Sequence, residues 1–147
     1  MQKKEIINHL NHLIDKKIDA LQKRFDDLNT DLASDHKSSA GDKHETGRAM
    51  IQLEQEKLSS QLSQFSLQKE TISKLNADPT NSVQLGSIVR TSNGIFFLSI
   101  GLGKVTIGEE TIFCISASSP IGQLLLSKKK GDKIQFNGNS ILLEELT

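Results

Sequence analysis

Residues 7–32, INHLNHLIDKKIDALQKRFDDLNTDL, decide the fold. Their apolar residues recur at alternating spacings of four and three, which is the heptad seam of a coiled coil with one polar member, Asn11. A second seam of the same spacing occupies residues 51–72. The first seam contains Ile7, Asn11, Ile14, Ile18, Leu21, Phe25, Leu28 and Leu32, and the second contains Ile51, Gln55, Leu58, Leu62, Phe65, Lys69 and Ile72. Two such seams predict two long helices that pack together.

The register of the two seams indicates that the chain folds back on itself. In an antiparallel pairing the seven layers from Ile7 to Leu28 each meet a layer of the second seam, and the polar Asn11 meets Lys69. Helix-forming residues give out near Ser39 and Ala40, so we place the bend there. We therefore predict a coiled-coil hairpin over residues 1–75, with arms of about 32 residues that reach ~48 Å.

The pattern changes where the second helix meets Pro79, because proline cannot continue a helix. We expect a short linker over residues 76–82 and a second domain over residues 83–147. Its alternating apolar residues and turn signals predict strands over 83–91, 95–100, 104–107, 111–116, 133–136 and 141–146, and a short helix over 120–127. The expected fold class is α+β with two domains: the hairpin, then a small, strongly bent antiparallel sheet with one short helix.

Composition restricts the function classes. Lys plus Arg equals Asp plus Glu, at 18 each, so the chain has no overall nucleic-acid signature. A single cysteine gives neither a disulfide framework nor a metal cluster. We find no signal peptide and no apolar run approaching the ~20 residues that span a membrane. The absence of Trp and Tyr argues against a site that stacks rings on a ligand. We expect a soluble, cytoplasmic protein.

The bend region, residues 35–45, is acidic and ends in the motif GDKHE at residues 41–45. Asp42 and Glu45 are three residues apart, which on a helix places both carboxylates on one face. Two such carboxylates suit a hard cation such as Mg²⁺, which takes one or two protein carboxylates and fills its shell with water and phosphates. The same spacing is also a capping box, with Asp42 as the N-cap, and the residues alone favour capping.

Other candidate residues have simpler explanations. His9 and His12 have metal-ligand spacing but lack a fitting third ligand, so we expect a solvated pair. Cys114 lies inside an apolar run and is expected in the core. The lysine run 128–130 is typical of a solvated helix end, although it also suits an acidic partner.

Two stretches resemble the GreA/GreB family of bacterial transcript cleavage factors. Residues 41–45 resemble the family's Gly-Asp-x-x-Glu motif. Residues 114–132, CISASSPIGQLLLSKKKGD, resemble its C-terminal signature, Ser-x-x-Ser-Pro-Ile-Gly followed by Leu-Leu-Gly-Lys-x-x-Gly-Asp. The second match is long and specific, and the first is short. The order of hairpin, linker and small domain of FKBP-like fold also matches that of the family.

The resemblance implies a transcription elongation factor and not an enzyme. Its globular domain would dock on RNA polymerase at the secondary channel through Ser119, Pro120 and Ile121, and its hairpin would enter the channel. Asp42 and Glu45 would then help hold a Mg²⁺ shared with the polymerase active site, so that the polymerase cuts backtracked RNA. The chain would have no cofactor of its own and would be a monomer. It would meet the nascent RNA 3′ end only indirectly, and it would belong to the DNA-binding proteins of transcription.

The hairpin motif departs from the family after Glu45. The family continues Asn-Ala-Glu-Tyr, whereas residues 46–49 read TGRA. The intact acids favour a cleavage-stimulating factor, and the altered neighbours favour a regulator that occupies the channel without stimulating cleavage. A coiled-coil adaptor unrelated to transcription is a third possibility, and the signature in residues 118–132 argues against it.

Overall fold

The computed structural model describes residues 2–35 and 41–147, without the side chains of residues 34, 35 and 41–44. The predicted bend near Ser39 and Ala40 lies outside the described residues. The elements in chain order are α1 (Lys3–Asp35), α2 (Gly41–Ser73), β1 (Ile88–Thr91), β2 (Gly94–Leu98), β3 (Gly103–Ile107), β4 (Glu110–Ile115), α3 (Pro120–Leu125), β5 (Lys133–Phe136) and β6 (Asn139–Leu146). The predicted fold class is confirmed: two long helices precede a six-stranded sheet with a short helix. Among the described residues, no helix combines the length and apolar character needed to cross a membrane.

The chain divides into two compact units. One unit contains Asn11–Glu70, and the other contains Met1–Leu10 together with Thr71–Thr147. The first turns of α1 and the last residues of α2 therefore pack with the sheet unit. The predicted linker at residues 76–82 stays a prediction.

In the unit of Asn11–Glu70, α1 and α2 pair as the heptad seams predict. Ile14 and Leu58 are buried, and most other seam residues are half-buried, as expected for only two helices. Four polar contacts between described residues across the pair follow the antiparallel direction. They are Arg24 with Glu54, Asn29 with Gln55, the Lys17 ammonium over the Phe65 ring, and Lys69 with Asp15.

The polar layer differs in detail from the prediction. Lys69 forms an ion pair with Asp15, one helical turn beyond the predicted partner Asn11. A lysine side chain is long enough to reach a carboxylate one turn away, where it gains an opposite charge. Because both side chains are about half exposed, the ion pair contributes no more than about 1 kcal/mol to stability.

Replacing this polar layer should stabilise the hairpin. We expect Asn11→Leu with Lys69→Leu to raise the melting temperature by about 4 °C, because apolar seam contacts outweigh an exposed ion pair. Circular dichroism of the full chain measures the change. Leucine at the exposed Lys16 and Lys57 is the control and should give no rise. An unchanged or lower melting temperature in the seam variant would mean that the polar layer is not a weak point.

The sheet has the strand order β3-β4-β2-β1-β6-β5. Four of its neighbouring pairs are antiparallel, but β2 and β4 are parallel, with Ile95 opposite Ile112. The predicted antiparallel sheet therefore contains one parallel pair. The more apolar β4 takes the inner position, whereas β3, which exposes Lys104, takes the edge. A charged residue on an edge strand discourages pairing with another chain.

Two predicted elements are shorter than expected because the backbone turns. The strand predicted over residues 83–91 begins only at Ile88, since Gly86 adopts a positive φ of 94°. The helix predicted over 120–127 ends at Leu125, and Ser127 adopts a φ of 68°. The last hairpin turns at residues 137–138, where both residues have positive φ as an Asn-Gly type I′ turn requires.

One core cluster of the sheet unit joins Leu125 of α3 to residues of the strands. Its buried members are Val83, Val89, Phe96, Leu98, Leu125, Ile134, Ile141 and Leu143. Cys114 is buried, as predicted. Burial raises the pKa of its thiol to about 11, against the opposing hydrogen bond from Ser99. The thiol is therefore protonated near neutral pH and acts as a small apolar side chain.

Lys3 fixes the start of α1 within the sheet unit. Its side chain is buried, and its ammonium donates a 2.7 Å hydrogen bond to the carbonyl oxygen of Asp78. Burial lowers the pKa of Lys3, and the negative charge of Asp78 opposes this shift. The contact joins the first turn of α1 to the segment after α2.

Candidate functional site

Ser119 organises the start of α3. It is the N-cap, with φ −67° and ψ 156°, and its hydroxyl accepts a 3.1 Å hydrogen bond from the Gly122 N–H. The same hydroxyl donates a 2.7 Å hydrogen bond to the carbonyl oxygen of Ser116. Pro120 follows at the first helical position, where its fixed φ fits and its missing N–H costs nothing. The Ser-Pro pair thus begins a short helix at a defined place.

Gly122 lets α3 pack closely on the preceding loop. A Cβ at this position would lie 2.1 Å from the carbonyl oxygen of Ser116 and 2.9 Å from the Ser119 hydroxyl. Real Cβ atoms do not approach a backbone oxygen so closely. The glycine of the Ser-Pro-Ile-Gly motif is therefore required by the fold, whatever partner the segment meets.

The three residues predicted to face the polymerase have different environments. Ser119 is half-buried and serves as the cap. Ile121 is half-buried and packs against the core. Pro120 is exposed, and Leu124, one turn later on the same helix, is 39% exposed. Pro120 and Leu124 therefore form the apolar part of α3 that is open to solvent, and sequence reasoning missed Leu124.

A cavity of about 360 Å³ lies beside the first turn of α3. Its walls are mainly apolar, and the rings of Phe96 and Phe113 contact each other in a tilted arrangement at 5.6 Å between centroids. Three exposed asparagines stand at its edge. The lining residues are Asn93, Phe96, Gly103, Phe113, Ile115, Ile121, Phe136, Asn137, Asn139 and Ile141. An apolar cleft edged by amides suits an apolar side chain of a partner segment.

Sequence reasoning did not find this cavity. Its lining comes from the β1–β2 turn, β2, β3, β4, α3 and the β5–β6 hairpin, and only the folded topology brings these together. The available signals were the two Asn-Gly pairs at residues 93–94 and 137–138, which predicted turns but not a shared cleft. Of the predicted docking residues, Ile121 lines the cavity.

At the other candidate site, α2 begins at Gly41 and includes Asp42 in its first turn. An N-cap residue lies before the first helical residue, so the start at Gly41 argues against Asp42 as the N-cap of α2. Asp42 and Glu45 are then three residues apart within one helix and share a face. Glu45 is exposed, and the side chain of Asp42 lies outside the described residues. The metal-holding role of the two acids therefore stays a prediction.

The described residues contain no group of three or more His, Cys, Asp or Glu positioned to hold a metal ion. His9 is half-buried and His12 is exposed.

The solved structures to which this chain is similar include two of the same transcription factor. No protein-family model and no curated protein matches the chain. A crystal structure of the GreA factor homolog 1 (Gfh1) protein of Thermus thermophilus is 16% identical, with 93% of this chain and 94% of that chain covered and a TM-score of 0.37. A structure of the transcription factor Gfh1 is 15% identical, with 92% of each chain covered and a TM-score of 0.36.

Proposed function

We propose that this protein is an accessory factor of bacterial RNA polymerase that enters the secondary channel and stimulates Mg²⁺-dependent cleavage of backtracked RNA. One observation carries the proposal. A pair of 33-residue helices, each about 50 Å long, bears the Gly-Asp-x-x-Glu motif at the start of its second helix. Such length exceeds what a small core needs, and it suits a probe that brings two acids to a recessed active site.

The acids have the chemistry that this task requires. Asp42 and Glu45 are hard oxygen donors on one helix face, and a hard cation such as Mg²⁺ accepts one or two protein carboxylates. When bound, the metal activates a water and stabilises charge on the phosphodiester oxygens. The two acids of this chain would help to position the metal ion and offset its positive charge. The polymerase would supply the remaining ligands and the catalytic centre.

The sheet unit supplies the docking surface in this proposal. The apolar cleft lined by Phe113, Phe136 and Ile121 takes a partner side chain, while Pro120 and Leu124 contact the surface around it. Apolar anchors in a cleft are the usual centres of binding energy in protein interfaces. Ser119 and Gly122 act indirectly, because they hold α3 in place.

A second candidate function is occupation of the channel without stimulation of cleavage. The observation in its favour is the sequence after Glu45, where Thr46 and Gly47 stand in place of the family's Asn-Ala. Glycine inside a helix costs about 1 kcal/mol relative to alanine, so the helix that carries the acids is locally weaker. A regulator of this kind would bind polymerase equally well and leave the RNA intact.

Stalled, backtracked elongation complexes test the proposal. We expect the purified protein to accelerate release of the RNA 3′ fragment in a manner that depends on Mg²⁺. If the protein does not stimulate RNA cleavage but displaces a factor that does, the second candidate function is correct. If it neither binds polymerase nor affects cleavage, both candidates are wrong.

Docking should depend on the exposed apolar part of α3. We expect Pro120→Ala with Leu124→Asp to weaken binding to polymerase about 30-fold, the effect of losing an interface anchor worth ~2 kcal/mol. Affinity measured with the immobilised core enzyme reports the change. Ile121→Asp is a poor test because Ile121 packs against the core.

A matched control for this variant is Leu85→Asp. Leu85 is 41% exposed and also belongs to the sheet unit, but it lies outside α3 and the cleft. It should bind polymerase within about twofold of wild type, as for surface changes away from an interface. Equal binding by the α3 variant and the control would place the docking surface elsewhere.

A further inference from the structure

The lysine run after α3 is held by backbone hydrogen bonds on its N-terminal side. Ser127 adopts a φ of 68°, which is uncommon for a residue with a side chain. Its N–H donates to the carbonyl oxygen of Val83 at 2.8 Å, and the Val83 N–H donates to the carbonyl oxygen of Lys128 at 2.8 Å. This two-way exchange fixes where the run leaves the helix.

The C-terminal side of the run is fixed as well. The carboxylate of Asp132 accepts a 2.8 Å hydrogen bond from the Lys129 N–H, and the Asp132 N–H donates back to the carbonyl oxygen of Lys129 at 3.0 Å. The Gly131 N–H donates to the carbonyl oxygen of Leu143 at 2.8 Å, which joins the turn to β6. We call residues 128–130 the lysine turn.

The charges of the lysine turn are not balanced within the described residues. Lys129 and Lys130 are exposed, Lys128 is half-buried, and none of the three forms an ion pair with a described carboxylate. The neighbouring acid, Asp132, uses its carboxylate on the backbone. Three adjacent like charges on a fixed backbone repel one another and do not help folding.

The lysine turn is adjacent to the docking surface. It follows α3 directly, and α3 is six residues long, so about 9 Å of helix separates its two ends. Ile121 in the first turn lines the apolar cleft, and Leu124 in the second is exposed. An apolar patch with cations at its border is the arrangement that an amphipathic, acidic segment complements.

We propose that the lysine turn binds an acidic segment of the polymerase whose apolar side chain occupies the cleft beside α3. The inference rests on the proposed function and specifies the chemistry of its partner. The lysines border the contact, so they act mainly on the rate of association and on its dependence on salt.

A protein partner fits these residues better than a nucleic acid. Beyond the lysine turn, the acids of residues 83–147 outnumber the bases, which opposes binding of a polyanion. Those bases are Arg90, Lys104 and Lys133, and the acids are Glu109, Glu110, Asp132, Glu144 and Glu145. Nucleic-acid affinity also comes mainly from many phosphate contacts, whereas Leu124, the exposed α3 residue nearest to the lysine turn, is apolar.

The test compares two charge reversals three residues apart. Lys130→Glu should lower the association rate with polymerase about tenfold and reduce its dependence on salt, and Lys129→Glu with Lys130→Glu should lower it further. Lys133→Glu is the matched control and should change the rate less than about twofold. Lys133 is also exposed, but it precedes the buried Ile134 in β5 and therefore points to the sheet face away from α3.

The outcomes separate this inference from the proposed function. If the wild-type protein does not bind polymerase, both are wrong. If it binds and Lys130→Glu associates as fast as Lys133→Glu, the inference alone is wrong. A parallel titration uses labelled single-stranded RNA and duplex DNA. If the wild type binds either one and Lys130→Glu loses that binding, the partner of the lysine turn is a nucleic acid and the inference is overturned.

Discussion

Gly122→Ala should destabilise the sheet unit by about 3 kcal/mol or more, which combines overpacking with loss of a helix cap. The new Cβ would lie 2.1 Å from the carbonyl oxygen of Ser116, so that oxygen has to move. The same oxygen accepts hydrogen bonds from the N–H and the hydroxyl of Ser119. The substitution therefore breaks the loop and the cap together, although it adds a single methyl group.

Gly101→Ala is the matched control. A Cβ at Gly101 meets nothing within 4 Å, and the change should alter stability by no more than about 0.5 kcal/mol. Urea unfolding followed by circular dichroism compares the two variants, and hydrogen exchange of the β4 and β5 amides localises the effect to the sheet unit. Equal midpoints for the two variants would mean that α3 shifts away from the loop at little cost.

The hairpin was largely predictable because its information is local. Heptad spacing gives the packing face of each helix, and the matching registers give the antiparallel pairing, which Lys69 with Asp15 and Arg24 with Glu54 confirm. The first turns of α1 were not predictable in the same way. There Ile6 and Leu10 are buried in place of the predicted seam residue Ile7, which is half-buried. Residues 1–10 pack within the sheet unit, and a heptad rule does not describe that surface.

The sheet was predicted strand by strand but not in its strand order. An Asn-Gly pair specifies its own turn, as at residues 137–138. The parallel pairing of β2 with β4 depends on which strand takes the inner position, and that choice involves the whole sheet. The observed strand order agrees with two effects that act on the whole sheet. Apolar strands gain most from interior positions, and a charged strand at the edge discourages pairing with another chain.

The candidate sites likewise have a local part that the sequence predicts and a part that only the folded chain brings together. Ser119, Pro120 and Gly122 form a local motif, so the sequence located the start of α3 correctly. The cleft beside it was not visible, since Phe96, Phe113 and Phe136 come from separate strands. Much of the signature that suggested a docking segment is explained by folding requirements. In our proposal, partner recognition then depends on the exposed residues of this stretch, which are Pro120, Leu124 and the lysine turn.

Asp42→Asn and Glu45→Gln should each lower the rate of Mg²⁺-dependent RNA cleavage about 100-fold at saturating protein, equivalent to ~2.7 kcal/mol. Each amide removes a negative charge that a hard cation requires and keeps the shape of the side chain. Stability should barely change even if the two acids act as a capping box, because Asn is as good an N-cap as Asp and Gln serves at the third helical position as Glu does. Alanine would not separate the two roles.

Controls for the two amides come from other acids of the hairpin. Asp19 in α1 and Glu56 in α2 are both exposed, so Asp19→Asn and Glu56→Gln remove the same charges away from the motif. These controls should cleave within about twofold of wild type, since isolated exposed charges are screened. Binding to polymerase should be equal for all four variants, because docking belongs to the sheet unit in our proposal.

The dependence of the cleavage rate on Mg²⁺ concentration then distinguishes metal holding from capping. If the acids hold the metal, more Mg²⁺ should partly restore cleavage in the two motif variants, because weaker binding is offset by mass action. If they act only as caps, the variants should cleave like wild type at every Mg²⁺ concentration. Loss of cleavage that tracks a loss of helical signal would instead assign Asp42 and Glu45 to helix stability, and the metal role would be wrong.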